Sequence, residues 1–388
     1  MSESLNQWKL PLYKIYTDEE DIQSITKIIK RGSKWAIGPE IEEFENKLRD
    51  YVGTDYCITL NSGTSALHAT FLAYGISSGD EVIVPSFSFI ATANSTRFVN
   101  ATPKFADIEN KTHGLDPSLI KNKINSSTKA VVPMDYGGVS CDILKIKDVA
   151  KDNNLLLIED AAEGLGASVH GKKVGSLSDS AIFSFCGNKV LTTGEGGAVV
   201  TNSKEIYEKI KLIRSHGRVD GKNYFDNPNS SEYQGVGYNW RMSTMVASLG
   251  ISQLSKLDKL IKLRQDNAQY VTQRISKNEE IEPPYVPEGF SHIYQMYSIK
   301  LPDQKIRDSL HQFLLKNKIF CKIYFEPIHK TPFYSKNLNI DSNSLSVTEN
   351  VSSRILTLPM YPNMTIEEKV YLVDTVNSFF ENNKNYNP

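Results

Sequence analysis

Short apolar runs separated by helix-like stretches recur through the first two-thirds of the chain, and this alternation narrows the available folds more than any other feature. "EVIVPSF" (Glu81–Phe87), "KAVVPMD" (Lys129–Asp135), "NLLLIED" (Asn154–Asp160), "SAIFSF" (Ser180–Phe185) and "GAVVTN" (Gly197–Asn202) read as buried strands. "SALHATFLAYG" and "ILKIKDVAKDNN", which lie between them, carry helical patterns. Runs that are apolar throughout, and not only at every second residue, need cover on both faces. The pattern therefore predicts an α/β fold with a largely parallel, covered sheet. "MSTMVASLGISQLSKLDKLIKLR" (Met242–Arg264) reads as one long amphipathic helix that connects two units. In the last third, "HIYQMYSIKL" and "KIFCKIYFEP" read as strand runs mixed with helices. The expected division is a large domain over 1–258, including the N-terminal segment, and a smaller α+β domain over 259–388.

Composition excludes several partners. Lys plus Arg number 44 and Asp plus Glu 45, for a net charge of −1, so nothing favours nucleic acid or an anionic membrane. The opening "MSESLNQWKLPLYK" lacks the apolar core of a secretion signal, and no apolar run is long enough to span a bilayer. Cys57, Cys141, Cys186 and Cys321 form no CxxC pair and no metal-like cluster with histidine, so reduced thiols in a cytoplasmic protein are expected.

Three stretches carry chemistry. "NSGTSALHATFLA" (61–73) places Asn61, Ser62, Gly63, Thr64 and Ser65 ahead of a helical pattern. Such a helix start offers free backbone N–H groups and hydroxyls to a phosphate, although alone it reads first as a plain N-cap. It lacks the Gly-Lys-Ser/Thr ending of a P-loop. "NLLLIEDAAEGLGAS" ends its apolar run on Asp160, at the strand terminus where open α/β sheets place ligands. An acid there can pair with a cation in a cleft or cap the next turn. Glu159 should face the opposite side, and Glu163 joins Asp160 only if a turn begins between them. In "SFCGNKVLTTGEGGAVV" (184–200), Lys189 follows Ser184 and a Gly187 that would permit a sharp bend. Gly194, Gly196 and Gly197 would let the returning chain pass close to a ligand. Alone, Lys189 reads as a solvated lysine in a hairpin. Together, a phosphate cradle, a strand-end aspartate and a lysine in a glycine-framed turn are the parts that hold pyridoxal 5'-phosphate.

The order Gly63-Thr64-Ser65, "EDAAE", "SFCGNK…TTGEGGAVVTN" and "GYNWRM" resembles the DegT/DnrJ/EryC1/StrS family of sugar aminotransferases. "GDEVIVPSFSFIATAN", "ATPKFADIE", "HIYQMYSIKL" and "YFEPIHKTPFY" extend the resemblance from about Tyr13 to the C-terminal helix. It implies an aspartate aminotransferase-like, type I pyridoxal-phosphate transferase fold. Lys189 aligns with the Schiff-base lysine, which later carries a proton between substrate and cofactor carbons. Asp160 aligns with the aspartate that keeps the pyridine nitrogen protonated, so that the ring accepts electrons. Gly63, Thr64 and Ser184, with the Ser65 N–H, align with phosphate ligands. Phe89 aligns with an aromatic that stacks on the ring. Asn239 aligns with a residue reaching the phosphate of a neighbouring subunit, which implies a homodimer with composite sites.

Glu163 stands where many members carry Gln or His near the cofactor hydroxyl, and "EDAAE…GNK" is similar to the perosamine synthase branch. The resemblance implies an amino group moving from L-glutamate to a nucleotide-linked 4-keto-6-deoxysugar, with GDP-4-keto-6-deoxymannose favoured over TDP- or UDP-linked substrates. Relatives that dehydrate the sugar carry His in place of the lysine, and Lys189 argues against that class. A non-catalytic scaffold is the remaining alternative. Trp35 and Gly38-Pro39 lie where the family borders the substrate entrance. His216, Arg218, Tyr294, Tyr324 and His329 are further candidates, with Arg218 or Arg241 expected on a carboxylate or pyrophosphate.

Overall fold

The computed structural model describes residues 7–219, 232–338 and 342–384. Its strands are β1 (Tyr56–Leu60), β2 (Glu81–Pro85), β3 (Thr102–Ala106), β4 (Thr128–Val131), β5 (Leu156–Asp160), β6 (Ser168–Val169), β7 (Lys172–Lys173), β8 (Ser180–Ser184), β9 (Gly197–Thr201), β10 (Phe290–Ser291), β11 (Tyr297–Lys300) and β12 (Ile355–Leu358). Seven of them form the main sheet, in the order β1-β9-β8-β5-β4-β2-β3. The steps from β8 to β3 are all parallel. β9 runs antiparallel to both β8 and β1, so it is the one reversed strand in this sheet. The apolar run of β9 could not announce that reversal, because a strand buried on both faces looks the same in either direction.

Side chains alternate along each strand, as the pleat requires. Leu60, Val84, Ile158, Ile182 and Val199 enter one core with helix Gly63–Ala73. Cys57, Phe183, Ala198 and Val200 enter a second core, and Ile83, Val131 and Leu157 a third on the same opposite side. The alternation separates Glu159 from Asp160. Glu159 is wholly buried on the far face, where it accepts from the Gly175 N–H at 2.9 Å and the Ser178 hydroxyl at 3.0 Å. It meets the buried Asp135, whose carboxyl is pushed up by burial and by the charge of Glu159. Because β1, β2, β4, β5 and β8 run the same way, their C-terminal ends gather along one edge of the sheet.

The expected long helix over Met242–Arg264 is two helices, Thr244–Ser255 and Leu257–Ile275. Lys256 at the joint leaves helical geometry (φ −110°, ψ 4°) and sends its ammonium to Asp18 and, at 3.1 Å, to Asp21. The break thus coincides with a tertiary ion pair. The second helix packs into a separate C-terminal core with β11, β12 and helices Gln304–Lys316 and Ile366–Lys384. Leu10 is buried in this same core, so part of the N-terminal segment packs away from the large unit to which the sequence assigns it. Among the described residues, "KIFCKIYFEP" forms no strand. It makes only single bridges, Ile319 to Leu10 and Lys322 to Thr357. No described helix is long and apolar enough to cross a membrane.

Candidate active site

Asp160 closes β5 and is 4% exposed. Its Oδ2 accepts from the Thr92 hydroxyl at 2.7 Å, and its Oδ1 from the Ala162 N–H at 3.3 Å. Thr92 lies in the first turn of helix Ala91–Phe98 and also meets the Ser88 hydroxyl at 2.6 Å. Burial pushes the Asp160 carboxyl above the usual range, while Thr92, the Ala162 N–H and the Lys189 amine pull it back. A cation brought to this carboxylate would complete the compensation that burial demands.

β8 ends on Ser184, and the chain turns through a bond from the Lys189 N–H to Cys186 O at 2.9 Å. The Lys189 side chain is 13% exposed and that of Glu163 5%. Their Nζ and Oε1 lie 3.2 Å apart. Glu163 Oε2 is held by the Gly137 N–H at 2.9 Å. A turn does begin after Asp160, so Glu163 returns to the Asp160 side. Asp160, Glu163 and Lys189 thus form one cluster. Its surroundings are aromatic: burial, then the charge of Glu163, pushes the Tyr324 hydroxyl up to about 12, and the same carboxylate bears on Tyr136.

Beside this cluster, Ser62 caps helix Gly63–Ala73, its Oγ accepting from the Ser65 N–H at 3.1 Å. Gly63 and Thr64 are the first two helical residues, and helix geometry leaves their N–H groups without intrahelical partners. Ser65 differs: its N–H serves the cap, and its hydroxyl donates to Asn61 Oδ1 and meets Ser62 Oγ at 2.5 Å. Ser184 sits directly against Gly63, where an added Cβ would fall 3.0 Å from the serine Cβ.

The glycines of the lysine loop work differently from the expectation. A Cβ at Gly187 would meet only the Gly194 carbonyl, at 3.9 Å, so neither crowding nor a left-handed backbone requires glycine there. Gly194 does take a left-handed φ of 84°. Gly197 approaches protein backbone: an added Cβ would lie 2.4 Å from Ser62 C and 2.6 Å from Gly63 N. It therefore lets β9 press against the helix start.

Phe89 follows β2, is 58% exposed, and has its ring 6.4 Å from that of Phe325. Asn239 is exposed and bridges to Ser215; its neighbour Trp240 accepts the Asn61 N–H at 2.9 Å, next to the helix start. Arg218 and Arg241 both reach Ser215 Oγ at 3.2 Å. His216 is part of the same turn, its N–H bonded to Tyr238 O at 2.8 Å. Trp35 donates to Ile28 O at 3.1 Å, and Gly38 caps helix Pro39–Val52. Tyr294 stacks on His292 with centroids 4.1 Å apart. His329 is buried, its two ring nitrogens on Ser86 at 2.7 Å and Glu349 at 3.0 Å, which is a supporting role. Thr92 and Gln295 touch the cluster or its backbone; each lies within a stretch quoted for the resemblance, yet neither stands out there, because each looks like an ordinary residue of its element.

A lysine facing a strand-end aspartate, beside an open helix start, is the arrangement of an aminotransferase of the pyridoxal-phosphate type. The chain belongs to the DegT/DnrJ/EryC1/StrS aminotransferase family, which it matches over residues 16–377. It is 35% identical to the GDP-perosamine synthase of Escherichia coli O157:H7, across 88% of this chain and 91% of that protein. It is 34% identical to a UDP-4-amino-4,6-dideoxy-N-acetyl-beta-L-altrosamine transaminase of Campylobacter jejuni, across 94% and 96%. Helicobacter pylori PseC, an aminotransferase involved in the biosynthesis of pseudoaminic acid, superposes with a TM-score of 0.90 at 29% identity, across 96% and 99%. The fold is that of the aspartate aminotransferase-like, type I transferases, and the protein is an aminotransferase.

Proposed function

We propose that the chain uses pyridoxal 5'-phosphate to move an amino group from L-glutamate to the 4-keto group of a nucleotide-linked 4-keto-6-deoxysugar. The observation that carries this is the meeting of Lys189, Glu163 and Asp160 at strand ends beside the open N–H groups of Gly63 and Thr64. The donor set fits the cofactor. Gly63, Thr64 and Ser184 suit its phosphate, Asp160 its ring nitrogen, Lys189 its aldehyde, and Phe89 the ring face. When bound, the cofactor supplies the electron sink that stabilises a carbanion.

The chain's own residues do the rest. Asp160, buried and held by Thr92, orients and balances a protonated nitrogen. Lys189 must be neutral to attack, and Glu163 stands 3.2 Å from its Nζ, within proton-transfer reach. Once released, the same amine can carry the proton at the reacting carbon. The exposure of Asn239 beside the helix start supports a role for it in the site of a second subunit of a homodimer. Three buried thiols and one partly buried thiol, all unpaired, support a cytoplasmic protein. The break at Lys256 supports a division into a large cofactor-binding domain (1–258) and a smaller C-terminal one (259–388).

Within this class we favour GDP-4-keto-6-deoxy-D-mannose as acceptor and GDP-perosamine as product. The perosamine synthase relative and Glu163 in "EDAAE" support that choice. The UDP-sugar transaminase relative, at nearly equal identity, supports a UDP-linked acceptor as the second reading. The test is amination followed by mass spectrometry, with L-glutamate, pyridoxal phosphate and a panel of GDP-, TDP- and UDP-linked 4-keto-6-deoxysugars, beside Lys189→Ala. An amino sugar formed from the GDP substrate and lost in the variant is the expected result. Product from a UDP or TDP substrate alone replaces the acceptor. No product and no spectral response to glutamate sinks the enzyme.

A further inference from the structure

Lys189 is held by more than its own loop. Gln295, 6% exposed, comes from the segment that leads into β11. Its Oε1 accepts the Val190 N–H at 2.8 Å, and its Nε2 donates to Asn188 O at 2.8 Å. These backbone groups flank Lys189 on either side. A carboxamide is planar, so the two bonds fix both neighbouring peptides against one rigid plate. The lysine Cα cannot rotate without breaking one of them.

The same segment also holds the lysine's partner. The Ile293 N–H bonds to Gly138 O at 2.9 Å and the Met296 N–H to Gly137 O at 3.0 Å. The Gly137 N–H in turn fixes Glu163 Oε2. The approach is so close that a Cβ at Gly138 would lie 2.9 Å from Gln295 N. Residues 293–296 thus carry both mounts of the Lys189–Glu163 pair, although the partners of each Gln295 bond are over a hundred positions apart in sequence.

We propose that Gln295 is a positioning residue that sets the orientation of Lys189 toward Glu163, and through it the readiness of the amine to take the cofactor. This rests on the aminotransferase reading. The charged and titratable groups facing the pair are Asp160 toward Lys189, and Tyr136 and Tyr324 toward Glu163. Gln295→Glu keeps an acceptor for Val190 and loses the donor to Asn188. Gln295→Leu loses both bonds at similar volume.

The full chain, stripped of cofactor, is titrated with pyridoxal phosphate, and the pH midpoint of the bound cofactor's visible band is recorded. Losing both bonds should weaken cofactor binding about tenfold and move the midpoint, with Gln295→Glu falling between Leu and wild type. A wholly structural glutamine would lower the thermal midpoint and leave both readouts unchanged, which overturns the proposal. Should the variants fail to fold, amide exchange on the wild-type protein decides: a Val190 N–H that exchanges like an open loop also overturns it. If wild type shows no band that depends on Lys189, the aminotransferase reading has failed, whereas Val190 protection still reports on the clamp alone.

Discussion

Thr92→Val is the sharpest probe of the site, because it removes one oxygen and almost no volume. The Thr92 hydroxyl is fully buried and gives Asp160 its shortest hydrogen bond, 2.7 Å. A hydrogen bond to a charged group contributes about 1.5–3 kcal/mol. Its loss should raise the Asp160 carboxyl further, beyond the rise that burial already causes. The sign follows from the direction. A carboxyl raised in the folded state binds its proton more tightly there than in the unfolded chain. Stability is therefore lost as pH climbs from the ordinary aspartate range, about 3.9, through the raised value, and stays lost above it. The variant should be less stable than wild type at neutral pH, and below about pH 4 the difference should shrink to the pH-independent cost of the lost Ser88 contact. The acid limb of the amination rate should move upward with it. Thermal midpoints of both proteins across pH, with pH–rate profiles, measure it. A penalty that is the same at every pH would mean that only packing and the Ser88 contact were lost, and would refute the hydrogen bond's role in holding the charge.

Two further perturbations follow from particular contacts. Gly197→Ala places a methyl 2.4 Å from the Ser62 carbonyl carbon, so the helix start must move; a destabilisation of about 1–3 kcal/mol and weaker pyridoxal phosphate binding are expected, read by denaturation and absorbance titration. Lys256→Met leaves the buried Asp21 with hydrogen bonds from Ser252 and Gln253 but no cation, at a cost of about 1–3 kcal/mol that Asp21→Asn in the same protein should partly restore, measured by urea denaturation.

Much of the site could be read from the sequence because its key groups stand at strand ends. An apolar run that stops on Asp160, a second run over Ser180–Phe185 that carries Ser184, and a cluster of small polar residues before a helix are local signals. The sheet alternation also placed Glu159 behind the strand. Gly187 and Gly197 could not be sorted by sequence alone, since one glycine faces space and the other the backbone of Ser62 and Gly63, far away in the chain. The reversal of β9 was hidden because burial on both faces erases direction. The break at Lys256 was hidden because the carboxylates it meets there, Asp18 and Asp21, lie far away in the chain. Gln295 was hidden for the same reason: an amide near the start of a strand says nothing about which backbone it will meet.

The reversed strand also orders events in time. β8 and β9 form a hairpin from neighbouring sequence, so the lysine loop closes on local contacts. β1 has only β9 as a neighbour in the sheet, and its C-terminal residue Leu60 pairs with Gly197. During synthesis at about 5–20 residues per second, β1 waits roughly 7–30 s for that partner to be made. Gly63 and Thr64, which would grip a phosphate, are translated long before Lys189, yet they can take their working place only after the lysine loop has been synthesised.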